Sequence, residues 1–304
     1  MSKRERRPIV GVHALLMTPF TKNYELNEEN LRREIDWLIK WGVDGVAPVG
    51  SVGEHAHLTA SEKKKIYEVV IDQTPSDKIT TAGTSAPTTL QCLELTKYAE
   101  DLGYDAAMPV VPWYWQCAED EAYRHYKVLS DKTDIQIMVY HNPTNAKLFM
   151  KPEFLAKLAE LDGVTAIKEI VDDIVHVHKT IRLVGDNANF LSVSSFFLES
   201  LILGGKGGVV GVLSSPTLVE CYKAFKAGNM DRAWEFQNRI TMLASSFPYE
   251  HNKDHVIGDV KGQCSAAMGI DMGPPALPYR PATKDEIAEY RKKFEKCKLL
   301  PPIK

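Results

Sequence analysis

The sequence predicts a (β/α)8 barrel followed by a C-terminal helical extension. Three observations carry that expectation. Short apolar stretches alternate with amphipathic ones in eight units over about 225 residues, the rhythm of a barrel. No GxGxxG follows the first apolar stretch, which weighs against a doubly wound dinucleotide-binding sheet. After residue 228 the apolar stretches stop and the pattern becomes wholly helical.

The first strand is expected over Val10–Met17, and the first helix over Asn27–Trp41, where Leu31, Ile35, Leu38 and Ile39 share one face. Strand two is Asp44–Val49. Thr59 and Glu62 have the spacing of a capping box opening a helix to Gln73. Strand three and its helix are Lys78–Ala82 and Thr88–Leu102. Strand four is Asp105–Val111, with a helix over Ala118–Ser130. Strand five, Ile135–Tyr140, precedes a helix over Pro152–Leu161 with proline in its first turn. Strand six is Val164–Lys168 and its helix Asp172–Ile181. Arg182–Gly185 reads as a short seventh strand before a helix over Phe190–Leu203. Gly208–Val212 and Pro216–Ala227 close the cycle. Helices over 230–247, 253–268 and 283–298 follow. The expected division is a barrel over 8–228 and a three-helix extension over 229–298 packed on it.

Composition excludes several classes. Of 304 residues, 44% are hydrophobic and 25% charged, as in a water-soluble globular chain. A net charge of -3 gives no polyanion-binding signal, so nucleic acid is not an expected partner. The five cysteines are scattered, odd in number and without a CxxC pair, which suits free thiols in a reducing compartment. No apolar run of membrane or signal length occurs, and the expectation is a cytoplasmic protein with no membrane partner.

Barrel active sites lie at the C-terminal ends of the strands. Strand six ends in Lys168, an amine at the end of a buried run. Burial lowers a lysine pKa, and a free amine forms a Schiff base with a carbonyl. Strand five ends in Tyr140-His141-Asn142-Pro143, and strand two in Gly50-Ser51-Val52-Gly53-Glu54. Strand four runs into Pro112-Trp113-Tyr114-Trp115, strand seven ends in Gly185-Asp186, and strand eight carries Val210. A lysine, two phenols, a serine and a glycine-rich loop at one mouth make a carbonyl site. The lysine is the nucleophile, the phenols move protons, and loop N–H groups hold a carboxylate. No nicotinamide or phosphate motif is present, so no cofactor is expected.

Three motifs together resemble the dihydrodipicolinate synthase / N-acetylneuraminate lyase family of Schiff-base aldolases: Gly50-Ser51-Val52-Gly53-Glu54, Tyr140-His141-Asn142-Pro143 and Ile167-Lys168-Glu169. The resemblance spans residues 8 to 295. It implies that Lys168 forms an imine with pyruvate or another 2-oxo acid and that Tyr140 is the acid/base phenol. Ser51 would belong to a hydroxyl relay, and Tyr114 stands where the family has a tyrosine reaching across a dimer interface. A homodimer or homotetramer is therefore expected, with a 2-oxo acid and an aldehyde as small-molecule partners.

Departures from the family pattern point to the second substrate. Val52 replaces a threonine that is common in the loop, leaving the carboxylate to N–H groups and Ser51. Asn145 stands where synthases of the family carry an arginine, and no arginine lies between Ser130 and Ile181. Ile170 and Val212 stand where sialic acid lyases carry hydroxyls, and an apolar pocket leaves sugar hydroxyls unpaired. Trp113 and Trp115 add aromatic surface. The leading expectation is thus a hydratase-aldolase-like enzyme with an apolar or aromatic aldehyde. The alternatives are 4-hydroxy-tetrahydrodipicolinate synthase, a 2-keto-3-deoxy sugar acid aldolase or dehydratase, and a catalytically idle barrel that binds a 2-oxo acid. Other residues read as structural. His55 is taken as a loop histidine bonded to backbone, Glu54 and Glu169 as partners of backbone or lysine, and His251 with His255 as a polar helix face rather than a metal site.

Overall fold

The computed structural model describes residues 6–246 and 256–300. Eight parallel strands close into a barrel in the order β1 to β8. They are β1 (Gly11–Leu15), β2 (Gly45–Ala47), β3 (Ile79–Ala82), β4 (Ala106–Ala107), β5 (Gln136–His141), β6 (Val164–Glu169), β7 (Asn189–Ser192) and β8 (Gly207–Gly211). β1 and β8 pair along their length, from Gly11 opposite Gly207 to Leu15 opposite Gly211, which shuts the ring. Every residue of β1, β2, β3 and β5 is buried, because helices cover the outside and side chains fill the inside.

The helices of the barrel layer are α1 (Glu28–Lys40), α2 (Ala60–Gln73), α3 (Thr89–Leu102), α4 (Glu119–Lys132), a single turn α5 (Pro143–Ala146), α6 (Pro152–Ala159), α7 (Ile174–Val184), α8 (Phe197–Ile202) and α9 (Ser215–Lys226). α1 buries Leu31, Ile35 and Leu38, the stripe legible in its sequence. α2 opens on the capping box: Thr59 accepts from the Glu62 N–H, and the Glu62 side chain accepts from Thr59 N–H. α10 (Met230–Ser246), α11 (Val256–Met268) and α12 (Lys284–Cys297) form the extension, in which α10 packs along α9 and α11 against α12. No described helix is long and apolar enough to cross a membrane.

The seventh strand differs from expectation. Arg182–Gly185 is not a strand: α7 runs on to Val184, and β7 lies at Asn189–Ser192. Ile181-Arg182-Leu183-Val184 is apolar enough to read as strand, but it continues the helical face that buries Val177, Thr180 and Val184. Gly185 therefore caps a helix ahead of β7, with φ 57, at the end of the barrel opposite the mouth. It is exposed there, away from the mouth, and so is not placed to bind substrate. His251 and His255 lie outside the described residues.

Candidate active site

β5 and β6 run side by side with Tyr140 opposite Lys168 and His141 opposite Glu169. Alternation along a strand sends these two pairs to opposite faces. Lys168 is completely buried, and its Nζ sits 3.6 Å from the centre of the Tyr140 ring. No well-aligned hydrogen bond to the amine forms among the described residues, and Tyr140 is close enough to act on it. Burial pulls its pKa below the ordinary lysine value, against a smaller upward pull from Tyr140. A neutral, nucleophilic amine is thereby made more accessible near neutrality.

The Tyr140 hydroxyl is held from two sides. Ser51 Oγ lies 3.2 Å from it, and Asn142 Nδ2 donates to it at 3.1 Å. Burial alone would push the phenol up, but the Lys168 charge and the bond from Ser51 outweigh it and hold its pKa below the ordinary value. Asn142 escaped sequence reasoning, although a residue two positions beyond Tyr140 shares its face of an extended chain. Its side chain also caps α5 by accepting from Asn145 N–H.

Ser51 is carried on the loop that follows β2. The loop closes with Glu54 N–H bonded to Ser51 O at 3.1 Å and His55 N–H to Gly50 O at 3.2 Å. A Cβ on Gly53 would stand 2.9 Å from Leu16 O and 3.1 Å from Val49 N, so only glycine fits there. The N–H groups of Ser51 and Val52 find no hydrogen-bond acceptor among the described residues.

The other expected residues are spread around the mouth. Gly50 is buried and Val52 half-buried on the β2 loop. Val210 is buried in β8, and Val212 is buried just past its end. Ile170 is half-buried beyond β6, its N–H bonded to His141 O at 3.0 Å. Asn145 is exposed on α5. Tyr114 does not join the Ser51–Tyr140 pair within this chain: it is 72% exposed and Trp115 is 81% exposed. Lys147, which ends α5 in a left-handed conformation, donates from Nζ to Tyr114 O at 3.0 Å.

Of the side chains read as structural, Glu54 and Glu169 find definite polar partners and His55 does not make the backbone bond expected of it. Glu54 forms an ion pair with Lys261 at 2.7 Å and accepts from Ala276 N–H at 2.8 Å. Glu169 instead takes two histidines: its Oε1 accepts from His141 Nδ1 and His176 Nε2, each at 2.7 Å. That clasp has the composition of a metal site. However, His141 Nε2 accepts from Met150 N–H at 3.0 Å, so the proton sits on Nδ1 and no lone pair there faces a metal. His55 makes no backbone bond through Nδ1. It packs edge-on against Trp113, with ring centres 5.2 Å apart, and burial holds its pKa down to about 3.

Comparison with known proteins places this barrel. The model of the dihydrodipicolinate synthetase family matches residues 8–297. The chain belongs to that family. Among its relatives, a 4-hydroxy-tetrahydrodipicolinate synthase of Methanothrix thermoacetophila is 33% identical over 286 residues, covering 92% of this chain and 94% of that one. A protein of the same name from Methanopyrus kandleri is 32% identical, covering 96% and 98%. The solved dihydrodipicolinate synthase of Aquifex aeolicus superposes with a TM-score of 0.87 at 26% identity, covering 97% of this chain and 100% of that one. Family membership makes the chain a class I aldolase, a lyase, and the names of its relatives favour the synthase alternative over the hydratase-aldolase reading.

Proposed function

We propose that the protein condenses pyruvate with an aldehyde that carries a charged group, as a 4-hydroxy-tetrahydrodipicolinate synthase does. The fully buried amine of Lys168, set against the Tyr140 ring, carries this reading. Lys168 Nζ attacks the C2 carbonyl of pyruvate, and the carbinolamine loses water to give a protonated imine. Loss of a methyl proton gives an enamine, whose carbon attacks the aldehyde carbonyl. The new alkoxide takes a proton, and water then releases the product and the amine. Tyr140 carries the protons, with Ser51 as its neighbour in the relay. The unsatisfied N–H groups of Ser51 and Val52 suit the pyruvate carboxylate.

Two observations bear on the aldehyde. Lys147 brings an ammonium beside Tyr114, so a cation is present near Asn145 even without an arginine. Trp115 is almost wholly exposed, so the aromatic wall expected of Trp113 and Trp115 is reduced to Trp113. A second reading, an apolar or aromatic aldehyde, draws on the apolar side chains of Ile170 and Val212 beyond β6 and β8. The assembly is a dimer or tetramer in this proposal, because Tyr114 completes no relay in its own chain and Leu90, Tyr114 and Trp115 leave apolar surface for a second copy.

Incubation with pyruvate and borohydride tests the mechanism. The expected result is a single reduced pyruvyl adduct on Lys168. An unmodified chain, or labelling that survives Lys168→Ala, refutes it. Comparing kcat/KM for aspartate semialdehyde and a benzaldehyde-type acceptor then decides between the two substrates.

A further inference from the structure

The loop that carries Ser51 is anchored by the far end of the chain. Glu54 closes the loop, and its carboxylate is reached by three groups. His57 Nδ1 lies 3.2 Å away, Ala276 N–H donates at 2.8 Å, and Lys261 on α11 pairs with it at 2.7 Å. The two side chains of that pair are 1% and 0% exposed. Lys261 is itself fixed, donating to Pro274 O at 2.8 Å and lying 4.2 Å above the centre of the Phe20 ring.

We propose that Lys261 is a positioning residue for the reaction: paired with Glu54, it holds the Gly50–Glu54 loop where Ser51 meets the Tyr140 hydroxyl. The inference rests on Ser51 and Tyr140 acting as the relay described above. Three features support a positioning role over simple stabilisation. A buried ion pair is a poor source of stability, since an apolar pair of similar volume packs as well. Glu54 is held with φ 61, a left-handed conformation that costs a non-glycine residue energy and persists only when its surroundings fix it. The strain lies one hydrogen bond from the serine, because Glu54 N–H binds Ser51 O directly. The loop is tied on its other side too, where Thr18 Oγ1 donates to Gly53 O at 2.7 Å. Two other carboxyl groups act on Lys261 from further off, Glu34, which burial pushes up to about 8, and Asp271, but Glu54 is the one it contacts, at 2.7 Å.

The test uses the full chain with Lys261→Met, and with the paired substitution Glu54→Gln/Lys261→Met, which leaves no unpaired charge if the single variant fails to fold. Tyr290→Phe, which removes a bond to Asp259 within the same extension, sets the effect of destabilisation alone. Hydrogen exchange across residues 50–57 should quicken in the Lys261 variants. The titration midpoint of Tyr140, followed by carbon NMR of labelled tyrosine, should rise by about one pH unit as the Ser51 bond is lost. Turnover should fall about 10- to 100-fold, while pyruvate still labels Lys168 under borohydride. Exchange and titration need no substrate, so they judge Lys261 even if the proposed reaction is wrong. Wild-type exchange and an unmoved Tyr140 midpoint in whichever Lys261 variant folds, or effects no larger than those of Tyr290→Phe, would overturn the proposal.

Discussion

Replacing Tyr140 by Phe separates the chemistry of the site from its construction. The phenyl ring is retained, so the face lying 3.6 Å from Lys168 Nζ stays in place. What goes is one oxygen with two neighbours, Ser51 at 3.2 Å and Asn142 at 3.1 Å. Asn142 is buried and loses its acceptor, so the stability cost is about 1–3 kcal/mol, that of one unsatisfied amide. A positioned proton carrier is worth about two to four orders of magnitude in rate, or roughly 3–5 kcal/mol at the transition state. Turnover should therefore fall by more than the loss of stability accounts for. Tyr140 also opposes the downward shift of the Lys168 pKa, so removing its hydroxyl should lower that pKa further and extend pyruvate trapping to lower pH. Steady-state kinetics and borohydride trapping across pH, beside a melting curve, supply the measurements. A near wild-type kcat would remove Tyr140 from proton transfer. Loss of trapping with intact folding would show that the hydroxyl builds the lysine site instead.

Glu34 is fully buried and its pKa is raised from 4.5 to about 8, chiefly by burial. The folded state thus holds a proton that the unfolded state releases, and the resulting stability, up to about 5 kcal/mol, is present below pH 4.5 and lost as pH rises through 8. Glu34→Gln cannot ionise, so its Tm relative to wild type should climb between pH 5 and about 8.5; a pH-independent difference would contradict this. Lys147→Ala should raise KM for a carboxylate-bearing aldehyde about tenfold, the worth of a charge-assisted hydrogen bond, and leave an uncharged aromatic acceptor untouched; equal effects on both would deny it a role in selecting the substrate. Light scattering should find an oligomer, and Tyr114→Phe should slow turnover without dissociating it; a fully active monomer at assay concentration would end the case for a shared relay.

The sequence by itself determined the barrel and the identities at its mouth. Local signals suffice where one residue's neighbours decide its state: the apolar runs of buried parallel strands, the Thr59–Glu62 capping box, and a lysine placed at the end of β6. They failed at β7, because Ile181–Val184 is as apolar as a strand and only its packing in α7 shows it to be helix, which sends Gly185 to the wrong end of the barrel. Tertiary structure alone decided the partners of buried charges. Glu169 meets His176, and Glu54 meets Lys261 from 207 positions away, through geometry that no spacing in the chain encodes. The same holds for Tyr114, whose side chain is identified by its motif but whose exposed position is set by the path of the loop after β4. Periodicity records which face a residue occupies, whereas long-range contact fixes what stands opposite it, and the pKa values of this site depend on the second.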